Sequence, residues 1–148
     1  MTYPLLKALH ATGAVLLLGN VVVTGFWALV FWRARDVVPF RTAARAIMWA
    51  DYLFTIVGGT LLTMTGIAMT LRAGYRPLET PWLLQGMIAL GVSMAVWILI
   101  LLPDQWRMER IPPEDGARLR KVFLRWSVVG WADTALLFWG LWTMVAKP

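Results

Sequence analysis

At 148 residues the chain has room for one domain, and its 59% hydrophobic and 15% charged composition lies far from the roughly one-quarter charged residues of soluble domains. The absence of cysteine excludes disulfides and thiolate chemistry, and with a single histidine it also excludes a conventional structural zinc site. The net charge of +6 comes from arginines set between apolar runs, which indicates a lipid bilayer surface as the partner and argues against nucleic acid.

The first apolar segment runs from Pro4 to Trp32 and has no fixed charge between Lys7 and Arg33. About 20 apolar residues at ~1.5 Å rise cross the hydrocarbon layer, so this segment is long enough to span. It is also too long for the apolar core of a cleaved signal peptide and ends at Arg33 and Arg35, so it is expected to be retained. Projected as a helix, Lys7, His10, Gly13, Leu17, Asn20 and Thr24 fall within a sector of roughly 80°. Polar groups facing hydrocarbon cost free energy, so this face is expected to point into a bundle.

Charge and Pro39 interrupt the pattern before a second span, about residues 47–71. Its polar and small face carries Asp51, Thr55, Gly59, Gly66, Met69 and Thr70. After a turn-rich link, Thr80 reads as an N-cap and Pro81 as the first residue of a third helix, spanning about 81–102, with Gln85, Ala89 and Ser93 on one face. Pro103 to Arg107 is expected to end that span. Glu114 and Asp115 then mark the start of a helix whose membrane part is about 126–146, followed by Lys147 and Pro148.

Four spans with short connections predict an all-α, up-down-up-down transmembrane bundle. The first-to-second and third-to-fourth connections hold 10 of the 14 lysines and arginines, which places both termini on the non-cytoplasmic side. Tryptophan and tyrosine cluster toward the span ends, but 10 tryptophans exceed the need for interfacial anchors, so some belong to the core. A short repeat, Trp49-Ala50-Asp51 and Trp131-Ala132-Asp133, each followed by a Thr-Met pair, raises the alternatives of duplication and chance.

Three sets of side chains could carry chemistry. His10 lies about six residues, or roughly 9 Å, inside the outer boundary, and neutral imidazole ligates iron. Met69, Gln85 and Met144 lie at similar depth, and a His/Met haem site is chemically sensible; the alternative is a histidine that hydrogen-bonds across the bundle and methionines that only pack. Asp133 is placed clearly within a span and is expected to be protonated, paired or near water, with Arg125 as a distant candidate partner. Asp51, nearer the interface, is expected to pair with Arg45 or a loop arginine. Lys7 is expected to snorkel to the outer surface, or to serve an anionic group such as a haem propionate.

Leu5-Leu6-Lys7-Ala8-Leu9-His10 at the start of a four-span chain resembles the opening of the HemJ-type protoporphyrinogen oxidases and of CopD-like membrane proteins. Trp49-Ala50-Asp51-Tyr52-Leu53-Phe54-Thr55, the Gly66 turn, Pro81-Trp82-Leu83 and Pro103-Asp104-Gln105-Trp106-Arg107-Met108 resemble an uncharacterised bacterial family of predicted integral membrane proteins, over nearly the whole chain. The resemblance implies a bacterial inner-membrane protein with a haem-b-like or porphyrin-related site at His10 and Lys7. The chain departs from the HemJ-type pattern in carrying Gln85-Gly86 where a lysine is expected, and Gly130-Trp131-Ala132-Asp133 in place of an Asn-Glu-Val-Pro-like sequence.

Three functions therefore stand. The first is a small haem b protein using His10, with a redox or electron-transfer role. The second is a cofactor-free accessory or assembly subunit, with a membrane-protein partner or a second copy of itself against its small-residue faces. The third is proton or solute conduction using Asp133, with Asp51, Asn20 and Gln85 as further polar sites.

Overall fold

A computed structural model describes residues 2–147; Pro148 lies outside them. Four long helices account for nearly all of it: α1 (Tyr3–Arg33), α2 (Phe40–Ala73), α3 (Pro81–Arg110) and α4 (Gly116–Ala146). Each is long and apolar enough to cross a membrane. Their outward faces carry large apolar side chains such as Val15, Leu99 and Trp142, as expected of surfaces that meet lipid.

Local chemistry explains the ends. Thr80 is the N-cap of α3 and Pro81 its first residue, although the Thr80 hydroxyl makes no capping bond. Gly74 closes α2 at φ 70°, a conformation a side chain would resist. Asp115 caps α4 by accepting from the Arg118 N–H at 3.2 Å.

The helices form two antiparallel hairpins, α1 with α2 and α3 with α4, closed into a bundle by α1 against α4 and by the end of α3 against the start of α2. Glycine sets the first hairpin. A Cβ on Gly13 would sit 2.9 Å from both the Gly58 carbonyl oxygen and the Leu62 nitrogen, and one on Gly58 would sit 2.8 Å from the Leu17 nitrogen. The two backbones therefore touch. In the second hairpin Gly140 lies against Ala89, and Gly86 receives the Met144 side chain. At the loop end, Trp32 stacks on Phe123 with centroids 4.1 Å apart, and Phe40 meets both edge-on. Trp126 is buried in the same cluster, so tryptophan does serve the core as well as the surface.

The helical ranges exceed the apolar spans. α2 begins at Phe40 and α3 continues through Pro103 to Arg110, where the sequence suggested an end. Just before Pro103, residues Trp97–Leu101 widen into a π turn, with the Leu102 N–H reaching the Trp97 carbonyl. A wider turn leaves room for a proline ring that would strike a carbonyl in a regular α turn. A second π turn covers Asp51–Thr55 in α2, the Ile56 N–H bonding the Asp51 carbonyl. The wide turn in α2 buries Asp51 and Thr55 and the one in α3 buries Leu101, while Leu53 and Leu99 stay exposed.

Candidate functional site

The α1–α2 interface carries three layers of polar or small residues in succession. At one end the His10 Nδ1 is 3.0 Å from the Thr65 hydroxyl. Gly13 and Gly58 cross in the middle. At the other end the Asn20 amide donates to Asp51 Oδ1 at 2.6 Å and to the Thr55 hydroxyl at 3.0 Å. Leu6, Gly13, Leu17, Asn20, Thr24 and Ala28 form the buried face of α1, with His10 half-buried beside it. Lys7 does not belong to that face; it is exposed, because the stripe begins one residue earlier at Leu6.

Asp51 is the centre of the third layer. Its Oδ2 accepts from the Gln105 amide of α3 at 2.5 Å, while Oδ1 receives Asn20 and, at 3.3 Å, the Thr55 hydroxyl. Every one of these partners is a donor, and both carboxyl oxygens are engaged. The expected pairing of Asp51 with Arg45 does not occur. Asp51 turns inward into the bundle, whereas Arg45 reaches outward and pairs with Glu109 at 2.7 Å.

Asp133 of α4 is also buried, and its Oδ2 accepts from the Ser93 hydroxyl of α3 at 2.7 Å. Arg125 is not its partner. Two turns toward the loop end, Arg125 instead makes a bidentate pair with Asp104, which Arg107 also approaches at 2.8 Å. Asp104 is 0% exposed, a buried carboxylate matched by two half-exposed guanidiniums.

Between Asp51 and Asp133 lies a partly open cavity of about 40 Å³, bordered by residues of all four helices. A site needs roughly 10–15 Å³ of such space per water, so this one has room for a short water cluster. Five buried side-chain polar atoms among the described residues have no protein partner: Trp97 Nε1, Gln105 Oε1, Trp126 Nε1, Ser127 Oγ and Asp133 Oδ1. All five belong to residues that border this cavity. Buried polar groups are costly when unmatched, and their convergence on one void marks it as wet. Two of them are N–H donors, two are acceptors and one is a hydroxyl that can be either. Water satisfies such a mixed set; a bare cation would meet the indole N–H groups and an anion would meet the carboxylates.

The other expected site residues are dispersed. Thr65 donates to the Leu61 carbonyl at 2.5 Å, so its hydroxyl proton is committed and His10 Nδ1–H is the donor between them. With Nδ1 anchored in this way Nε2 is the nitrogen a ligand would use, and the Leu62 backbone is a second hydrogen-bond partner of the ring. Gly66 lies beside the same imidazole; a Cβ there would be 3.3 Å from His10 Cε1. Met69 follows Thr65 by one turn of α2, and Met144 packs into Gly86 on α3. Gln85 is half-buried with no side-chain hydrogen bond, while its neighbour Gly86 occupies the helix contact. Neither the cavity between the aspartates nor the larger open one between the loops is bordered by His10, Met69 or Met144. Among the described residues no three of His, Cys, Asp and Glu gather as a metal site.

Sequence reasoning misses Asp104 and Gln105 because Pro103 reads as a boundary, and Ser127 because a single serine at the start of the fourth span carries no pattern of its own. The signal was present: a stride of four from Ser93 through Trp97 and Leu101 arrives at Gln105, and all four border the cavity.

Four apolar helices around a buried polar centre define an integral membrane bundle. The chain belongs to the family described as "Predicted integral membrane protein (DUF2269)", whose model matches residues 4–148. Comparison with curated proteins and with solved structures returns no match.

Proposed function

We propose that this membrane protein moves protons through its bundle, with Asp133 and Asp51 as the two carboxyl groups and waters in the cavity between them as the bridge. The observation that carries the reading is the convergence of five unpaired polar atoms on one cavity between two buried carboxyls. In the transfer step a carboxyl O–H bond breaks at one aspartate, a water between them gains that proton and passes one of its own on, and the other aspartate's oxygen forms the new O–H bond. Asp133 Oδ1, which has no protein partner, is the oxygen free to receive it. Buried carboxyls inside spans are expensive to maintain and commonly mark proton relays. On this reading the two basic loops are cytoplasmic and both termini outside, as the lysine and arginine distribution favours, and the membrane is a bacterial inner membrane.

The test is reconstitution into vesicles holding a pH-sensitive dye, with a potassium diffusion gradient as driving force. Wild-type chain should move protons whether the counter-cation is sodium or choline, and Asp133→Asn should return the rate to that of protein-free vesicles. A folded wild type at background rate, or an Asp133→Asn variant as fast as wild type, would sink the reading.

A second reading, a haem b protein with a redox role, is favoured by the Thr65 bond that anchors His10 Nδ1 and so makes Nε2 the nitrogen for ligation. His10 would supply one axial ligand, with Met69 the nearer along α2 of the two methionines considered. An absorption spectrum of the purified chain, oxidised and then reduced, beside His10→Ala, tests it. Stoichiometric bands lost in the variant support haem, and a colourless wild type made with ample haem supply refutes it.

A further inference from the structure

At the loop end of the bundle an open cavity of about 650 Å³ lies between the α1–α2 and α3–α4 connections. That volume falls within the ~300–1,000 Å³ range of sites for small ligands. Four guanidiniums border it, those of Arg35, Arg41, Arg110 and Arg120, against two carboxylates, Asp36 and Glu114. Arg35 comes from the α1–α2 connection, Arg41 from the start of α2, Arg110 from the end of α3 and Arg120 from the first turns of α4, so the fold gathers them. Among the described residues Arg41, Arg110 and Arg120 have no ion-pair partner, although carboxylates are close by. Elsewhere on the same end Arg45 pairs with Glu109, and Arg107 and Arg125 with Asp104, while Arg33 and Arg118, outside the cavity, also have no ion-pair partner among the described residues.

The remaining wall is apolar, with Phe40, Met108, Ile111 and Leu119 alongside the charges. Trp32 also borders it, but Phe123 stacks on that indole at 4.1 Å and the Arg35 guanidinium lies over it at 4.8 Å. Little of the ring is left for a nucleobase. Residues from the starts of α2 and α4, Phe40, Arg41, Gly116, Leu119 and Arg120, border the same space. The cavity lies at the ends of the four apolar spans, beside the two basic connections.

We infer that this cavity is a binding site for a phosphoryl-bearing anion, held by Arg41, Arg110 and Arg120 with its apolar portion against Phe40 and Leu119. An anionic phospholipid from the surrounding leaflet meets both halves of the wall; a soluble phosphate meets only the charged half. This inference is independent of proton transfer by Asp133.

The experiment titrates the full detergent-purified chain, by calorimetry, with three probes: dihexanoyl phosphatidic acid, dihexanoyl phosphatidylcholine and inorganic pyrophosphate. Saturable binding of phosphatidic acid alone identifies a lipid site, and binding of pyrophosphate as well identifies a phosphate site open to soluble ligands. Equal binding of phosphatidylcholine, or no saturable binding of either anion, overturns the inference. Combining Arg41→Gln with Arg120→Gln should weaken anion binding about 30-fold, since each basic group near an anionic lipid contributes about a fivefold step. The control combines Arg33→Gln with Arg118→Gln, which removes the same charge from the same end but outside the cavity. An equal loss in the control would mean diffuse attraction and no site. Glu114→Gln supplies a gain that misfolding cannot imitate: binding about fivefold tighter as a bordering carboxylate is neutralised.

Discussion

At one end of the α1–α2 interface a single histidine meets a single threonine, and at the other an asparagine meets an aspartate that is bonded in turn to a third helix. The two ends lie roughly 15 Å apart along α1, by helical rise from His10 to Asn20. Between them the Gly13–Gly58 crossing brings backbone against backbone. His10 and Thr65 satisfy one another within the hairpin. Asn20 and Asp51 belong to a set completed across α3, and that set borders a cavity with polar atoms to spare. The difference shows that a lone polar residue in a span can be closed off by one partner, whereas a carboxyl drawn into the centre of four helices organises the whole bundle around it.

The largest effect should come from the crossing that separates the ends. Gly58→Val would press new atoms into the α1 backbone, and a loss of about 3 kcal/mol of stability, at the upper end for overpacking, is expected in detergent unfolding. An unchanged midpoint would mean that the hairpin is not held by this contact. Next comes the aspartate end. Asn20→Ala removes the donor to Asp51 Oδ1 and leaves buried acceptors short, a loss of about 1–3 kcal/mol measured by the same unfolding curves. The histidine end should respond less: His10→Ala breaks one half-buried bond, and about 0.5–1.5 kcal/mol is expected. If His10→Ala costs more than Asn20→Ala, the comparison is broken and the histidine holds something beyond Thr65. The smallest effect belongs to Gly19→Ala, whose new methyl meets nothing within 4 Å; stability should rise or stay within about 1 kcal/mol of wild type.

Much of this arrangement is legible along the chain. His10, Gly13, Leu17, Asn20 and Thr24 share a face by helical spacing alone, and four of them are fully buried in α1. Asp51 and Thr55, one turn apart, were also placed on one face and do meet the same asparagine. Lys7 falls in the same angular sector but is exposed, because Leu6, about 100° round the helix, takes the buried position at that end. The partners of the carboxyls were misjudged for a different reason. Proximity in sequence suggests Arg45 for Asp51 and Arg125 for Asp133, but residues six apart point to different sides of a helix and residues eight apart are about 12 Å apart along it, and donors to both carboxyls come from other helices.

The amino-acid sequence by itself determined that four helices form, where their apolar stretches lie and which faces turn inward, because helix length and the cost of polar groups in hydrocarbon are local, one-dimensional constraints. Only the tertiary structure decided that α3 continues past Pro103, that Gln105 bridges to Asp51, and that Trp97, Trp126, Ser127 and Asp133 leave polar atoms unpaired around one void. Those outcomes depend on two π turns and on the close approach of glycine backbones. Each shifts the rotation of a helix relative to its neighbours, and that rotation selects which polar atoms can meet.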